Sequence, residues 1–225
     1  MSSTSLIQET RIQPLNDESP RRGDYVLYWM QQSQRAEDNH ALEYAIQQAN
    51  DRNLPLLVVF GLMDDYPQAN LRHYAFMVEG LVDVAAGLER RGIKFALRRG
   101  HPARVALEAG ERATLIVCDR GYLRHQKQWR QQVAQEAGCT VVQVESDAVV
   151  PLEVASQKTE HAARTLRPRV RRHWDDYLVA LRTTPLKQDS LNLPGDGEDL
   201  SDPERLLDSL KVDRSVGRVS HLFRG

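Results

Sequence analysis

The stretch YWMQQSQRAEDNHAL, residues 28–42, joins an apolar run to a predicted helix through a polar loop. In the structural interpretation, Asp38 or Asn39 caps the helix by accepting from its free N–H groups. In the functional interpretation, the loop and the positive end of the helix hold a polar ligand. The residue types leave both interpretations open. The candidate ligand contacts in this stretch are Met30, Gln34, Arg35, Asp38 and Asn39.

A second polar group follows the apolar run TLIVCD, residues 114–119. A carboxylate at the end of a buried strand commonly bonds backbone N–H groups of the next turn, and ligand contact is the alternative. Because ligands of parallel sheets bind beyond the carboxyl ends of the strands, this group and the first loop both lie on the edge where a ligand would sit. The candidates here are Asp119, Arg120 and Tyr122.

Other chemical signatures are missing from the sequence. No GxGxxG follows the first apolar run, and no P-loop is present. The 7 histidines are scattered and do not form a cluster with metal-ligand spacing. No GxSxG or Cys/His pattern indicates a nucleophile. We therefore predict neither a catalytic residue nor a metal site.

The elements that must position the two polar groups alternate along the chain. Apolar runs at 25–30, 55–62, 94–99, 114–119 and 140–145 are typical of strands. Segments with apolar residues at steps of three and four lie between them and predict helices. This alternation predicts an α/β fold with a five-stranded, mostly parallel, Rossmann-like sheet and helices on both faces.

The flanking segments differ in composition. Residues 1–23 are polar and predict a disordered tail, and the α/β domain spans 24–152. A basic helical extension follows over 153–184, and its RTLRPRVRR run suits a solvated helix face, an acidic partner or a phosphate backbone. An acidic segment rich in Pro and Gly, 185–225, predicts a linker.

Bulk composition places further limits on function. The formal net charge of -1 gives no global basic field of the kind that is typical of nucleic-acid-binding proteins. Cys118 and Cys139 lie in or beside apolar runs, and we expect both to be reduced core residues. The sequence shows neither a signal peptide nor a membrane span. We expect a soluble, cytoplasmic protein.

Four groups of residues together resemble a known family. They are the aromatic-Trp-Met-…-Gln-Arg-x-Glu-Asp-Asn-x-Ala-Leu pattern over 28–42; the R-x-Y-x-F-M-x-E-G-L pattern over 72–81; Asp119 with Leu123, Arg124, Gln128 and Trp129; and the VVP…ARTLRP segment over 149–168. With these residues the chain resembles the amino-terminal antenna domain of class II cyclobutane pyrimidine dimer photolyases. The sequence departs from the family pattern at 120–122, at 145–148 and at His161.

The resemblance implies a deoxyribodipyrimidine photo-lyase, a light-driven carbon–carbon lyase that repairs DNA. It implies an antenna pigment, of deazaflavin or folate type, in this domain. It places FAD in a second, all-helical domain that this sequence lacks, so the chain is interpreted as a fragment, a truncated gene product or one subunit of a split enzyme. UV-damaged DNA would be reached only through that FAD-binding domain or subunit. The alternatives are a stand-alone nucleotide-binding α/β domain or an interaction module without lyase activity.

Overall fold

The computed structural model describes residues 7–219. Its strands form one sheet in the order β1-β6-β5-β2-β3-β4, in which β1 is antiparallel to β6 and the other pairs are parallel. The strands are β1 (Ile12–Pro14), β2 (Tyr25–Trp29), β3 (Leu56–Leu62), β4 (Lys94–Arg99), β5 (Ala113–Asp119) and β6 (Thr140–Val144). The helices are α1 (His40–Arg52), α2 (Leu71–Glu89), α3 (Pro102–Gly110), α4 (Arg124–Glu136), α5 (Leu152–Ala155), α6 (Ala163–Arg172), α7 (Trp174–Tyr177) and α8 (Pro203–Ser209), and a 3-10 turn covers Glu9–Arg11.

The alternation of the strands distributes their side chains between two layers of helices. Tyr28 and its neighbours at even spacing pack with α1 and α2, whereas Leu27 and Trp29 pack with α3 and α4. Both faces of the central strands are therefore dry, which accounts for their continuous apolar sequences. Cys118 and Cys139 are buried and unpaired, as predicted. Gly92 follows α2 with a φ of 68°, a left-handed conformation that commonly ends helices.

The fold class is confirmed, but the predicted strand count is corrected from five to six. The sixth strand, β1, lies within the segment predicted to be a disordered tail; residues 1–6 of that segment lie outside the described part of the chain. Ile7 is buried at 1% exposure, and the buried Arg11 guanidinium donates to the carbonyls of Glu145, Ala148 and Val149. These long-range contacts order a polar segment that has no strand pattern of its own.

The acidic segment after residue 185 packs along the edge strand β4 and against α2. The N–H of Ser190 donates to the carbonyl of Gly92 at 2.9 Å, and the N–H of Glu198 donates to the carbonyl of Leu97 at 2.6 Å. Leu206 and Leu207 of α8 are buried against α2. The free edge of β4 is thus covered, which blocks pairing with another chain.

Candidate functional site

The point where strand order reverses lies between β2 and β5, and Asp119 occupies it. The Oδ2 atom of Asp119 accepts three consecutive backbone N–H groups, from Gln31 at 2.8 Å, Gln32 at 2.8 Å and Ser33 at 3.0 Å. Consecutive N–H groups that converge in this way form an anion-binding concavity. Here the protein's own carboxylate occupies that concavity and fixes the loop after β2.

The same carboxylate begins a buried hydrogen-bond chain. Its Oδ1 accepts the hydroxyl of Tyr28 at 2.6 Å, and the Tyr28 oxygen accepts from the amide of Asn39 at 2.9 Å. The side-chain oxygen of Asn39 caps α1 by accepting the N–H of Leu42 at 3.0 Å. Burial raises the pKa of Asp119, against the opposing effect of its four donors. Burial and the charge of Asp119 raise the pKa of Tyr28 well above its usual value.

A partly exposed ion-pair network surrounds the ends of β5 and β6. Glu145 is fully buried and accepts from Arg120 at 3.1 Å and from the Tyr122 hydroxyl at 2.7 Å. Arg120 also contacts Glu153 at 2.6 Å. Arg120, Tyr122 and Glu145 thus form one network at the carboxyl ends of β5 and β6.

A second network links the loop after β2 to the end of β6. Arg35 pairs with Asp147 at 2.8 Å and donates to the carbonyls of Ser146 and Asp38. Asp147 also accepts the hydroxyl of Ser33 at 2.9 Å. Asp38 is exposed and has a φ of 47°, a left-handed conformation that Asp tolerates better than most residues. The loop is therefore held from both sides before α1 begins.

A cavity of about 350 Å³ opens beside this loop, at the carboxyl edge of β2 and β3. Aromatic and apolar side chains form most of its wall, and the amides of Gln31, Gln34 and Gln126 supply polar groups. Volumes near 300 Å³ are at the small end of the range for ligand sites. The cavity lies at the switch-point edge where doubly wound sheets bind ligands. The lining residues are Gln31, Gln32, Gln34, Phe60, Gly61, Leu62, Met63, Tyr66, Ala69, His73, Tyr74, Met77, Pro102, Leu123, Gln126 and Trp129.

An aromatic cluster shapes one wall of the cavity. Tyr66, from the loop after β3, shares a hydrogen bond of 2.7 Å with Nε2 of His125 in α4. The His125 ring lies 4.9 Å from the ring of Trp129, and His101 contacts Trp129 edge-on at 5.6 Å. Tyr66 and His101 lie in the loops after β3 and β4, and His125 and Trp129 lie in α4. Because these elements are distant in sequence, no local sequence pattern predicts the cluster. Trp129 is buried at 9% exposure, and it also forms part of the cavity wall.

The eight sequence-predicted site residues fall into three groups. Gln34 lines the cavity. Met30, Asn39 and Asp119 are buried in the core and in the hydrogen-bond chain that supports the loop. The remaining four do not line the cavity and lie in the networks at the ends of β5 and β6 or, for Asp38, exposed at the loop end: Arg35, Asp38, Arg120 and Tyr122.

The sheet order and the position of the cavity define a doubly wound α/β domain with a crevice at its switch-point edge. Solved structures share this fold. A bacterial class III photolyase from Agrobacterium tumefaciens has a TM-score of 0.63 at 20% identity, covering 82% of this chain and 39% of its own. An archaeal photolyase from Sulfolobus tokodaii, described with two FAD molecules and an implied novel light-harvesting cofactor, has a TM-score of 0.61 at 15% identity, covering 89% of this chain and 43% of its own.

Sequence comparison identifies the family. The family model for DNA photolyase matches residues 26–188. The deoxyribodipyrimidine photo-lyase of Methanothermobacter thermautotrophicus is 49% identical over 192 residues, which cover 84% of this chain and 43% of that protein. That of Potorous tridactylus is 35% identical, over 86% of this chain and 37% of the relative. The chain belongs to the DNA photolyase family and corresponds to its amino-terminal domain. It spans about two fifths of the length of these relatives.

The described part of the chain offers neither a membrane-spanning helix nor a metal-binding cluster. Among residues 7–219, no helix has the length and apolar character needed to cross a membrane. Within the same part of the chain, no three His, Cys, Asp or Glu side chains are grouped so that they could hold a metal ion.

Proposed function

We propose that this chain is the light-harvesting half of a class II DNA photolyase, a light-driven lyase that repairs cyclobutane pyrimidine dimers, and that its cavity binds the antenna pigment. Family membership supports the reaction class. The observation that carries the pigment assignment is the aromatic- and amide-lined cavity at the switch-point edge. When bound, such a pigment absorbs light and passes its excitation to the flavin.

The residues around the cavity fit a flat heterocycle of deazaflavin or folate type. Trp129 and Tyr66 offer ring surfaces, and aromatic rings pair favourably through their faces and edges. The amide of Gln34 donates to the carbonyl of Gln31 at 3.2 Å, which orients it at the cavity wall. Gln126 is fixed by donating to Gln32 at 2.6 Å. These contacts preorganise the polar groups, which lowers the entropic cost of binding.

The remaining predicted contacts retain a supporting role in this proposal. Asp119 fixes the backbone of Gln31 and Gln32, and both of these residues line the cavity. Arg35, Asp38, Arg120 and Tyr122 do not line the cavity, and in this proposal they are contacts for a polar extension of the pigment beyond it. Met30 and Asn39 act through the core and the helix cap.

We propose that FAD and the lesion pocket belong to a helical domain or subunit that partners this chain. The share of each relative that the chain covers, about two fifths, supports this division. UV-damaged DNA would then be repaired at the partner's flavin. The two buried, unpaired cysteines support a cytoplasmic location.

Pigment binding to the purified chain tests this function. We expect an added deazaflavin or a reduced folate to bind with quenched or shifted fluorescence. Ala69→Phe, which fills the cavity, should abolish binding. Gln34→Ala should weaken it by up to about tenfold, the effect of one hydrogen bond, while the exposed Gln128→Ala serves as the matched control.

Two results would contradict the assignment. One is binding of none of these pigments by the wild-type chain, and the other is unchanged binding by Ala69→Phe. The division of labour has its own test, because we expect the chain with added FAD and no partner to leave thymine dimers intact under blue light. Repair by the chain alone would disprove that division.

A further inference from the structure

The helix α6 concentrates positive charge on the surface of the domain. Its ten residues include five arginines, and none of the ten is buried. Arg169 pairs with Glu160 at 3.0 Å. The other four have no ion pair among residues 7–219. These four unpaired side chains are Arg164, Arg167, Arg171 and Arg172.

Three of the unpaired arginine side chains lie on one face of α6. Arg164, Arg167 and Arg171 are spaced at i, i+3 and i+7, which places them on one face of the helix over about 10 Å. All three are exposed, whereas Leu166 and Val170, centred about 110° around the helix from them at 100° per residue, are half-buried. The arginine face is therefore turned toward solvent. Like charges at this spacing destabilise an isolated helix, and a polyanion along the face would remove that penalty.

The basic helix is also attached to the domain. In α7, which follows α6 directly, the Tyr177 hydroxyl shares a hydrogen bond of 2.8 Å with Oγ1 of Thr10. The Arg11 guanidinium lies 5.4 Å from the centre of the Tyr177 ring. Arg11 in turn is bonded to the backbone after β6. The arginine face thus has a set position on the molecule, as a binding surface requires.

We infer that the arginine face of α6 binds the phosphate backbone of duplex DNA, so that this chain contributes its own contact with the substrate. The choice of DNA over other polyanions rests on the proposed function. The evidence for an anion-binding surface, which is the charge, exposure and spacing of the arginines, is independent of it. Arginine suits phosphate because its planar fork makes paired hydrogen bonds. The contact is independent of base sequence, since it reads only the backbone.

Salt-dependent DNA binding by the full chain tests the inference. The variant Arg164→Gln/Arg167→Gln/Arg171→Gln is compared with Arg22→Gln/Arg90→Gln/Arg124→Gln, which removes the same charge from three exposed positions outside α6. Fluorescence anisotropy with a labelled duplex is recorded at rising NaCl. Each lost phosphate contact lowers the slope of log K against log salt by about 0.9, so the α6 variant should lose about 2.7. The control should keep the wild-type slope.

Three outcomes would overturn the inference. They are wild-type chain that shows no salt-dependent binding to the duplex, an α6 variant with the wild-type slope, and equal losses in both variants. Loss of association with the flavin-binding half, with DNA binding intact, would assign α6 to domain docking instead. The assay needs no pigment, so failure of pigment binding and failure of DNA binding are separate results.

Discussion

Substitution of Asp119 tests whether its carboxylate holds the loop after β2 in place. Asp119→Ala removes the acceptor of four donors, the Tyr28 hydroxyl and the backbone N–H groups of Gln31, Gln32 and Ser33. Tyr28 and Ser33 are both at most 1% exposed, so water cannot replace the lost acceptor without rearrangement. Each buried donor left unsatisfied costs about 1–3 kcal/mol.

The expected net cost is smaller than the sum over the donors. Burial disfavours the charged form of Asp119, so removing the carboxylate also removes that desolvation cost. We therefore expect Asp119→Ala to lower the free energy of unfolding by about 3–4 kcal/mol. Asp119→Asn keeps the shape and one acceptor oxygen, and should cost about 1–2 kcal/mol. Asp83→Ala, at an exposed position of α2, should change the free energy of unfolding by less than about 0.5 kcal/mol.

Urea unfolding followed by tryptophan fluorescence measures these differences. With an m value of about 2 kcal/mol/M, the midpoint for Asp119→Ala should fall by about 1.5–2 M. Since Gln31 and Gln32 line the cavity, pigment affinity should fall in the same variant. A loss of stability below about 1 kcal/mol for Asp119→Ala would refute the role given to the carboxylate.

Two further predictions follow from the structure. Burial and neighbouring arginines lower the pKa of His40 to about 4 from 6.5, so the folded state binds fewer protons than the unfolded state in that window and stability falls as pH drops through it. After allowance for partial exposure, the wild type should lose about 1–2 kcal/mol more than His40→Gln between neutral pH and pH 4, as measured by urea unfolding; equal losses would contradict this. A Cβ at Gly61 would lie 2.7 Å from Cα of Pro102, so Gly61→Ala should lower the free energy of unfolding by about 2 kcal/mol and narrow the cavity. Gly217→Ala, with open space around it, is the matched control. Equal effects of the two substitutions would show that contact with Pro102 does not destabilise Gly61→Ala.

The sequence alone determined the α/β class, the five parallel strands and the four helices between them. This was possible because side-chain period is a local property, and each apolar run or amphipathic stretch carries its own signal. It also located the start of α1 at Asp38 or Asn39, because a cap depends on residues within one turn, and the structure assigns the cap to Asn39.

Only the tertiary structure decided the edge strand and the cavity. The segment Ile12–Pro14 is three residues long, and it becomes a strand because β6 offers it an unpaired edge. The cavity wall joins Gln34, Tyr66 and Trp129, which lie far apart in the sequence. Asp119 was identified from the sequence, but its three N–H partners were not. The groups that hydrogen-bond to a buried carboxylate come from loops that are distant in sequence and close in space. Residue type and spacing along the chain do not determine which loops these are.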